Sequence, residues 1–448
     1  MTLLDEDAAA RAAGAVLAKL AVLGVHAGDR VGVVAGNGPA FVAARDAATA
    51  ADCVLVPINP RLAPAEIAWI LDHARPRVVL VDALHRALPD SIVIDELAPA
   101  APVALDHARA GATILYTSGT TGRPKGCWRT AAQERARLDE LRTSYALSAA
   151  DTHLVVCPLA HSAPGCFLRA ARAAGARTVI APRFSVDTFI DDVRRHAATV
   201  VFLVPTQVHR LLAIPRPDLP SLRAMIVAGA PFPPAQKAAF AAWLGPDRLY
   251  EFYGSSETGT VSVIRPDEHA AHPHSVGRPP PGVSVQLRDG ELFVRSPAMM
   301  AGYLSDDGTT VAAVGDYISV GDLGTIDDGW ITLVDRKHDT IITGGLNVYP
   351  AEVERALAAL PGIEGAVVFG VHDDDWGQLV AAVIATDHPL DVRVALRDQL
   401  AGYKLPRAVA YCTLEDLPIG SSGKALRRAA REQFAAKLAR IDQAPSAG

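Results

Sequence analysis

Eleven consecutive residues, Tyr116 to Gly126, read Y-T-S-G-T-T-G-R-P-K-G and gather hydroxyls, glycines and a lysine directly after the apolar run Ala112 to Leu115. Thr117, Ser118, Thr120 and Thr121 offer hydroxyl donors, Gly119 and Gly122 let backbone N–H groups approach an anion closely, and Lys125 brings a mobile positive charge. A loop so composed is built to grip phosphate. It is not the pattern G-x-x-x-x-G-K-[ST], because only two residues separate Gly119 from Gly122 and Gly126 follows the lysine. The chemistry expected is the holding of a nucleoside triphosphate.

The rest of the chain must position such a loop. At 448 residues, half of them hydrophobic, it exceeds the size at which one core stops growing, so at least two domains are expected. A formal charge of −6 is mild over that length and argues against nucleic acid as a partner. The start, Met-Thr-Leu-Leu-Asp-Glu-Asp, is acidic where a secretory signal needs basic residues, and no apolar run reaches membrane-spanning length, which predicts a cytoplasmic protein. Cys53, Cys127, Cys157, Cys166 and Cys412 form no C-x-x-C pair and are odd in number, so reduced packing residues are expected, Cys127 among them.

Short apolar runs near Val31, Cys53, Arg77, Thr199 and Ala224 alternate with alanine-rich helical stretches, the pattern of parallel βαβ units in an α/β fold. Between Val283 and Ser296 the period changes to two around Asp289-Gly290, which predicts a hairpin and a small β subdomain. A helix should start near Pro350, with Glu352 and Glu354 complementing its dipole. From there the expected order is helix, strand, strand, helix, strand, helix, a small α+β lid beginning at Arg336 to His338; residues after Ile441 look frayed.

The phosphate loop resembles that of the AMP-forming acyl-adenylating enzymes, a family of acyl-CoA synthetases, peptide-synthetase adenylation domains and luciferases. The resemblance continues in the family's order: P-L-A-H-S-A-P from Pro158, Y-G-S-S-E-T from Tyr253, G-E-L-F-V-R-S-P from Gly290, V-G-D-L-G from Val320, D-R-K-H-D-T-I-I-T-G-G-L-N-V-Y-P-A-E-V-E from Asp335 and S-S-G-K from Ser421. It implies an N-terminal AMP-binding domain over 1–336, a mobile lid over 337–448, and ATP, Mg2+ and coenzyme A as cofactors and cosubstrates. Relatives usually carry more strands and helices at the front, so the N-terminal subdomain is expected to be reduced.

Residue by residue, the resemblance makes Lys424 the catalytic lysine bridging carboxylate and α-phosphate, and Glu257 the carboxylate on magnesium. A single carboxylate with phosphate oxygens and waters suits that hard ion. Ser256, where relatives usually have threonine, would meet the α-phosphate, and Asp322 and Arg336 would hold the ribose. Gly229, Ala230 and Pro231 would pack on adenine beside the ring of Tyr253. His161 would orient the carboxylate at an acyl pocket drawing also on Ser162, Val204, Gln207, Phe252 and Gly254. His338 occupies the hinge position, where relatives carry aspartate or lysine. Gly344, Gly345 and Leu346 would line the pantetheine passage, with Lys404 meeting CoA phosphates. The implied reaction joins a small-molecule carboxylic acid to ATP and then to CoA; the alternative is an adenylation enzyme passing the acyl group to a carrier protein or another nucleophile.

Overall fold

Successive residues of the strand Arg30–Val34 enter opposite cores. Val31 and Val33 pack with helices Glu6–Val22 and Pro39–Ala50, whereas Val34 joins Ile67 and Ile70 of helix Pro64–Ala74 on the other face. Val54–Ile58 divides in the same way, Leu55 to one side and Val54 and Val56 to the other. A sheet covered on both faces needs such continuously apolar strands.

The computed structural model describes residues 2–117, 124–245, 247–337, 339–343, 346–373, 376–420 and 425–441. They form two compact units. The first comprises the chain up to Ala228 with Ala235–Val285 and Val294–Ile318, the second Gly229–Pro234, Gln286–Phe293 and the chain from Ser319.

The first unit holds two large sheets. One runs, by strand, Thr2–Leu3, Arg177–Ile180, Thr152–Val155, Val200–Leu203, Ala224–Val227, Leu249–Ser255 and Gly259–Ile264. The other runs Val311–Ala313, Gly302–Leu304, Lys125–Arg129, Thr113–Thr117, Val54–Ile58, Arg30–Val34, Val78–Val81 and Ser91–Val93. The strands expected to be parallel are so, for example Val200 opposite Ala224 and Val31 opposite Val78. The sheets nevertheless have antiparallel members: Thr113–Thr117 with Lys125–Arg129, and Leu249–Ser255 with Gly259–Ile264. Their connections are too short for the crossover of a dozen or more residues that parallel pairing requires.

The expected hairpin at Asp289-Gly290 is present. Both turn residues have positive φ, 51° and 77°, the geometry that lets a two-residue turn follow strand twist. Its strands Ser284–Arg288 and Glu291–Arg295 share a sheet with Asp322–Asp327 and Trp330–Arg336.

Further along, helix Pro350–Ala358 begins at the expected proline. Strands Gly365–Asp373 and Gly377–Ala385, helix Val392–Leu396, strand Ala408–Cys412 and helix Arg427–Phe434 follow in the expected order, with a two-residue strand Ala439–Arg440 added. Val368, Val380 and Ile384 pack with Val353 and Leu357 of the first helix, while Val367, Phe369 and Val383 pack with Ala430 and Phe434 of the last.

The first unit carries a pH dependence of its own. Burial pulls the imidazoles of His153 and His269 from 6.5 down to about 4, with Lys237 adding to the effect at His269. Between those values the unfolded chain binds protons that the folded chain refuses, so these groups make stability fall as the solution is acidified from pH 6.5 toward 4. Glu251, pushed by burial up to about 7 despite Lys237 at 2.6 Å, acts with the opposite sign. His153→Leu should therefore recover up to about 3 kcal/mol of the acid-induced loss. Melting temperatures of parent and variant over that range check this, and parallel profiles contradict it.

Candidate active site

Strands Thr113–Thr117 and Lys125–Arg129 pair with Thr117 opposite Lys125, so the two ends of the phosphate loop are held side by side. Ser118, Gly119, Thr120, Thr121 and Gly122 lie outside the described residues.

Glu257 sits in the turn between Leu249–Ser255 and Gly259–Ile264, 9% exposed. Ser255 Oγ shapes this turn by accepting from the backbone N–H groups of Glu257 and Thr258, each at 3.1 Å. Gly254 is required next to it, because a Cβ there would lie 2.2 Å from the carbonyl oxygen of Gly259. Two hydroxyls converge on Glu257 Oε1: Thr117 Oγ1 donates at 3.1 Å and the Tyr303 OH at 3.2 Å. Burial pushes the Glu257 carboxyl up, but hydrogen bonds from Ser255, its own backbone, Thr117 and Tyr303 outweigh it and hold the group below the ordinary carboxylate value. Glu257 is therefore ionised at neutral pH.

Two residues singled out by sequence, Thr117 and Glu257, are thus in contact, and Tyr303 is an addition. Its strand Gly302–Leu304 pairs with the strand after the loop, Tyr303 opposite Cys127, and its ring lies 5.4 Å from Lys125 Nζ. Tyr303 consequently touches both the buried carboxylate and the loop lysine. No local pattern marks it, since the contact is created by pairing between distant strands. Cys127 is fully buried, and burial with the nearby Glu257 pushes its thiol well up, in keeping with a packing residue.

Magnesium fits this arrangement. Among the described residues there is no cluster of three or more His, Cys, Asp or Glu able to hold a metal. One ionised carboxylate beside the ends of the loop expected to grip phosphate suits an ion that takes its remaining ligands from phosphate and water.

His161 precedes helix Ser162–Ala173 at its N-cap position, with Nε2 3.2 Å from Asn59 Nδ2. Asn59 Oδ1 accepts from the Arg61 N–H, which fixes the amide with its NH2 toward the ring, so Nε2 accepts and the proton of a neutral imidazole sits on Nδ1. Ser162 Oγ accepts from Arg137 Nη1 at 2.6 Å. Gln207 spends its side-chain oxygen on the Val204 N–H at 3.0 Å, closing the start of helix Pro205–Leu212, and on Cys157 Sγ at 3.2 Å. Phe252 is buried in an aromatic cluster, 6.1 Å from Phe202 and 6.2 Å from Phe167. Tyr253 and Gly254 flank a register shift in their strand, and the Ser256 carbonyl accepts from the buried Arg129.

In the second unit Asp322 and Arg336 lie opposite each other on adjacent strands, and Arg336 Nε donates to Asp322 Oδ1 at 3.1 Å. Gly229 has φ 95° and is followed by Ala230 and Pro231. Leu346 opens the strand Leu346–Val348, 49% exposed. Lys404 Nζ is 2.6 Å from Glu352 Oε1 and 5.8 Å from the Tyr403 ring, so a phosphate arriving there would compete with a carboxylate. His338, Gly344, Gly345 and Lys424 lie outside the described residues.

The AMP-binding enzyme family matches residues 4–304 and the AMP-binding enzyme C-terminal domain matches residues 352–424. A feruloyl-CoA synthase of Amycolatopsis sp is 32% identical over 93% of this chain and 91% of its own length. The o-succinylbenzoate CoA synthetase of Bacillus subtilis, solved with its acyl-adenylate intermediate, superposes with a TM-score of 0.81 at 26% identity, covering 94% of this chain and 91% of that one. The same enzyme solved with ATP and a magnesium ion gives a TM-score of 0.82. The amide bond synthetase McbA of Marinactinospora thermotolerans gives 0.81 at 28% identity, covering 95% of this chain and 93% of that one. The chain belongs to the AMP-binding enzyme family and, within it, to the acyl-CoA synthetase branch of AMP-forming acid–thiol ligases.

Proposed function

We propose that the protein activates an aryl or aliphatic carboxylic acid with ATP and passes the acyl group to the thiol of coenzyme A. The observation that carries this reading is the ionised, buried Glu257 held by Thr117 and Tyr303 where the two ends of the phosphate loop meet. In the first half-reaction a carboxylate oxygen attacks the α-phosphorus and the bond to pyrophosphate breaks. In the second, the thiol sulfur bonds to the acyl carbon and AMP leaves. Two anions must meet in the first step, and their repulsion is large where water is scarce.

Magnesium, when bound, supplies charge neutralisation at the phosphates. The chain's own part is to hold Glu257 ionised and aimed, to present Lys125 and the loop hydroxyls to the β- and γ-phosphates, and to bring Lys424 to the α-phosphate. Asp322 and Arg336 hold the ribose and Gly229 to Pro231 with Tyr253 the adenine. His161, accepting from Asn59 through Nε2, directs the acid beside Ser162, Val204, Gln207 and Phe252. Feruloyl-CoA synthase and o-succinylbenzoate CoA synthetase are both named for acids bearing an aromatic ring, which favours an aryl acid here. Among the described residues no helix is long and apolar enough to cross a membrane, in keeping with the proposed cytoplasmic location. An ATP–pyrophosphate exchange screen over aryl, aliphatic and amino acids tests the reading; exchange only with amino acids would overturn the acid class.

Tyr303→Phe keeps the ring beside Lys125 and removes one hydrogen bond to a charged oxygen. The Mg2+ concentration needed for half-maximal exchange should rise about 10-fold, the scale of such a bond. An unchanged Mg2+ dependence would contradict the role given to Glu257.

The likeness to an amide bond synthetase supports a second reading, in which an amine takes the acyl group, a carrier-protein thiol being the other alternative acceptor. Rotation of residues 337–448 about His338 is proposed to bring Gly344, Gly345 and Leu346 to the pantetheine arm, with Lys404 exchanging Glu352 for a CoA phosphate. A leucine side chain at Gly345 would fill that passage. Gly345→Leu should spare pyrophosphate exchange and lower CoA-dependent AMP release by ~10²-fold or more, because the sulfur no longer reaches attacking distance. Equal loss of both steps would sink the passage, and AMP release driven by amines but not by CoA would favour the second reading.

A further inference from the structure

Two hydrogen bonds at the candidate site come from buried arginines that the proposed reaction does not itself use. Arg129 gives Nη2 to the Ser256 carbonyl, one residue before Glu257. Arg137 gives Nη1 to Ser162 Oγ at 2.6 Å, one residue after His161. Both arginines lie around the same carboxylate. Glu134 is fully buried in the first turn of helix Ala131–Ser144, and Arg137 stands about one turn further along that helix.

This carboxylate closes the base of the phosphate-loop hairpin. Thr113 and Arg129 face each other across strands Thr113–Thr117 and Lys125–Arg129, at the end away from the loop. Glu134 Oε1 accepts from Thr113 Oγ1 at 2.6 Å and lies 3.9 Å from Arg129 Nη1. Its other oxygen contacts Arg169 of helix Ser162–Ala173, the helix that opens with Ser162. Burial pushes the Glu134 carboxyl up, but Arg169, Arg129, Arg137 and the Thr113 hydroxyl outweigh it and hold the group well below the ordinary carboxylate range. Glu134 is thus an ionised anchor shared by the loop hairpin, the turn that carries Glu257 and the helix that begins beside His161.

Packing alone gives no reason for charge at this place. A buried ion pair is weak evidence for stability, since apolar side chains of similar volume often serve as well or better. Arg129 is not even fully satisfied, because its Nε and Nη1 are buried without an acceptor in hydrogen-bond range and its bonding falls to Nη2. What the arrangement does supply is fixed geometry. A guanidinium held by Glu134 restrains the Ser256 carbonyl, and with it the adjacent Glu257. Ser162 Oγ, occupied as an acceptor by Arg137, keeps its own proton to donate toward a carboxylate.

We infer that Arg129 and Arg137 are positioning residues braced by Glu134, Arg129 setting the turn that aims Glu257 at magnesium and Arg137 setting Ser162 toward the acid, which rests on the adenylation reading proposed above. The two arginines then govern different constants. Loss of a merely structural network lowers stability and the yield of active enzyme, but leaves half-saturating concentrations where they were.

Pyrophosphate exchange of parent, Arg129→Met and Arg137→Met, each with its folded fraction fixed by a melting curve, is titrated with Mg2+ and with the acid that drives exchange best in the parent. Arg129→Met should raise the Mg2+ concentration for half-maximal exchange about 10-fold, as loss of a group orienting a metal ligand does, and leave the acid KM unchanged. Arg137→Met should do the reverse, raising the acid KM about 10-fold, the scale of a hydrogen bond from a charged group, with the Mg2+ dependence unchanged. Glu134→Gln should shift both. Movement of the same constant in both arginine variants, or of neither, overturns the inference and leaves adenylation standing. Absence of exchange in the parent with any acid removes adenylation and the inference with it. Should a methionine variant fail to fold, Arg129→Lys or Arg137→Lys, which keeps the charge but not the planar fork, is read in its place and must show the same split.

Discussion

Lys424→Ala should lower adenylate formation by roughly 10²-fold or more, while thioester formation from supplied acyl-adenylate changes far less. The expectation follows from where charge gathers. A carboxylate and a triphosphate meet in the first half-reaction, and a preorganised cation at the α-phosphate lowers the barrier on the scale seen when a single such donor is removed. Once the adenylate exists, pyrophosphate has left and the attacking thiol reacts at carbon, so the demand for that cation falls. Single-turnover pyrophosphate release measures the first step and CoA-dependent AMP release from synthetic adenylate the second. Equal losses in both would remove Lys424 from its assigned step.

Glu257→Gln should reduce pyrophosphate exchange by about 10²-fold and raise the Mg2+ requirement, because it removes a buried negative charge beside the loop. The replacement is nearly isosteric, and its side-chain oxygen can still accept from Thr117 and Tyr303, so the fold of the turn should persist. That separates charge from packing: ATP affinity without Mg2+ should change little, whereas the gain in affinity on adding Mg2+ should shrink. Identical Mg2+ dependence in parent and variant would exclude Glu257 as a metal ligand.

Much of the arrangement was legible because it is local. The loop from Thr117 to Lys125 announces itself through hydroxyls and glycines, the turn at Asp289-Gly290 through residues that tolerate positive φ, and the helix at Pro350 through a proline in its first turn. The core strands were legible from continuous apolar runs, since burial on both faces leaves no alternation to read. What was not legible arises from pairing at a distance. Nothing near Tyr303 foretells that its hydroxyl reaches Glu257; the contact exists because strand Gly302–Leu304 lies beside Lys125–Arg129. Glu134 and Arg137 fall on helix Ala131–Ser144, where charges ordinarily face water, and it is the packing of that helix against helix Ser162–Ala173 that the local sequence does not announce. Lys404 was legible as a cation, but its pairing with Glu352 required the fold.

The route of one oxygen atom tests the account most directly. With a substrate acid labelled with oxygen-18 in its carboxylate, together with ATP and CoA, attack at the α-phosphorus transfers a single carboxylate oxygen to phosphate. Displacement by the thiol then releases that oxygen in AMP. Mass spectrometry should find one label per AMP, AMP and pyrophosphate in equal amounts, and an acyl-CoA retaining the other oxygen. Label in inorganic phosphate with ADP as the nucleotide product, or unlabelled AMP, would contradict adenylation as the first step.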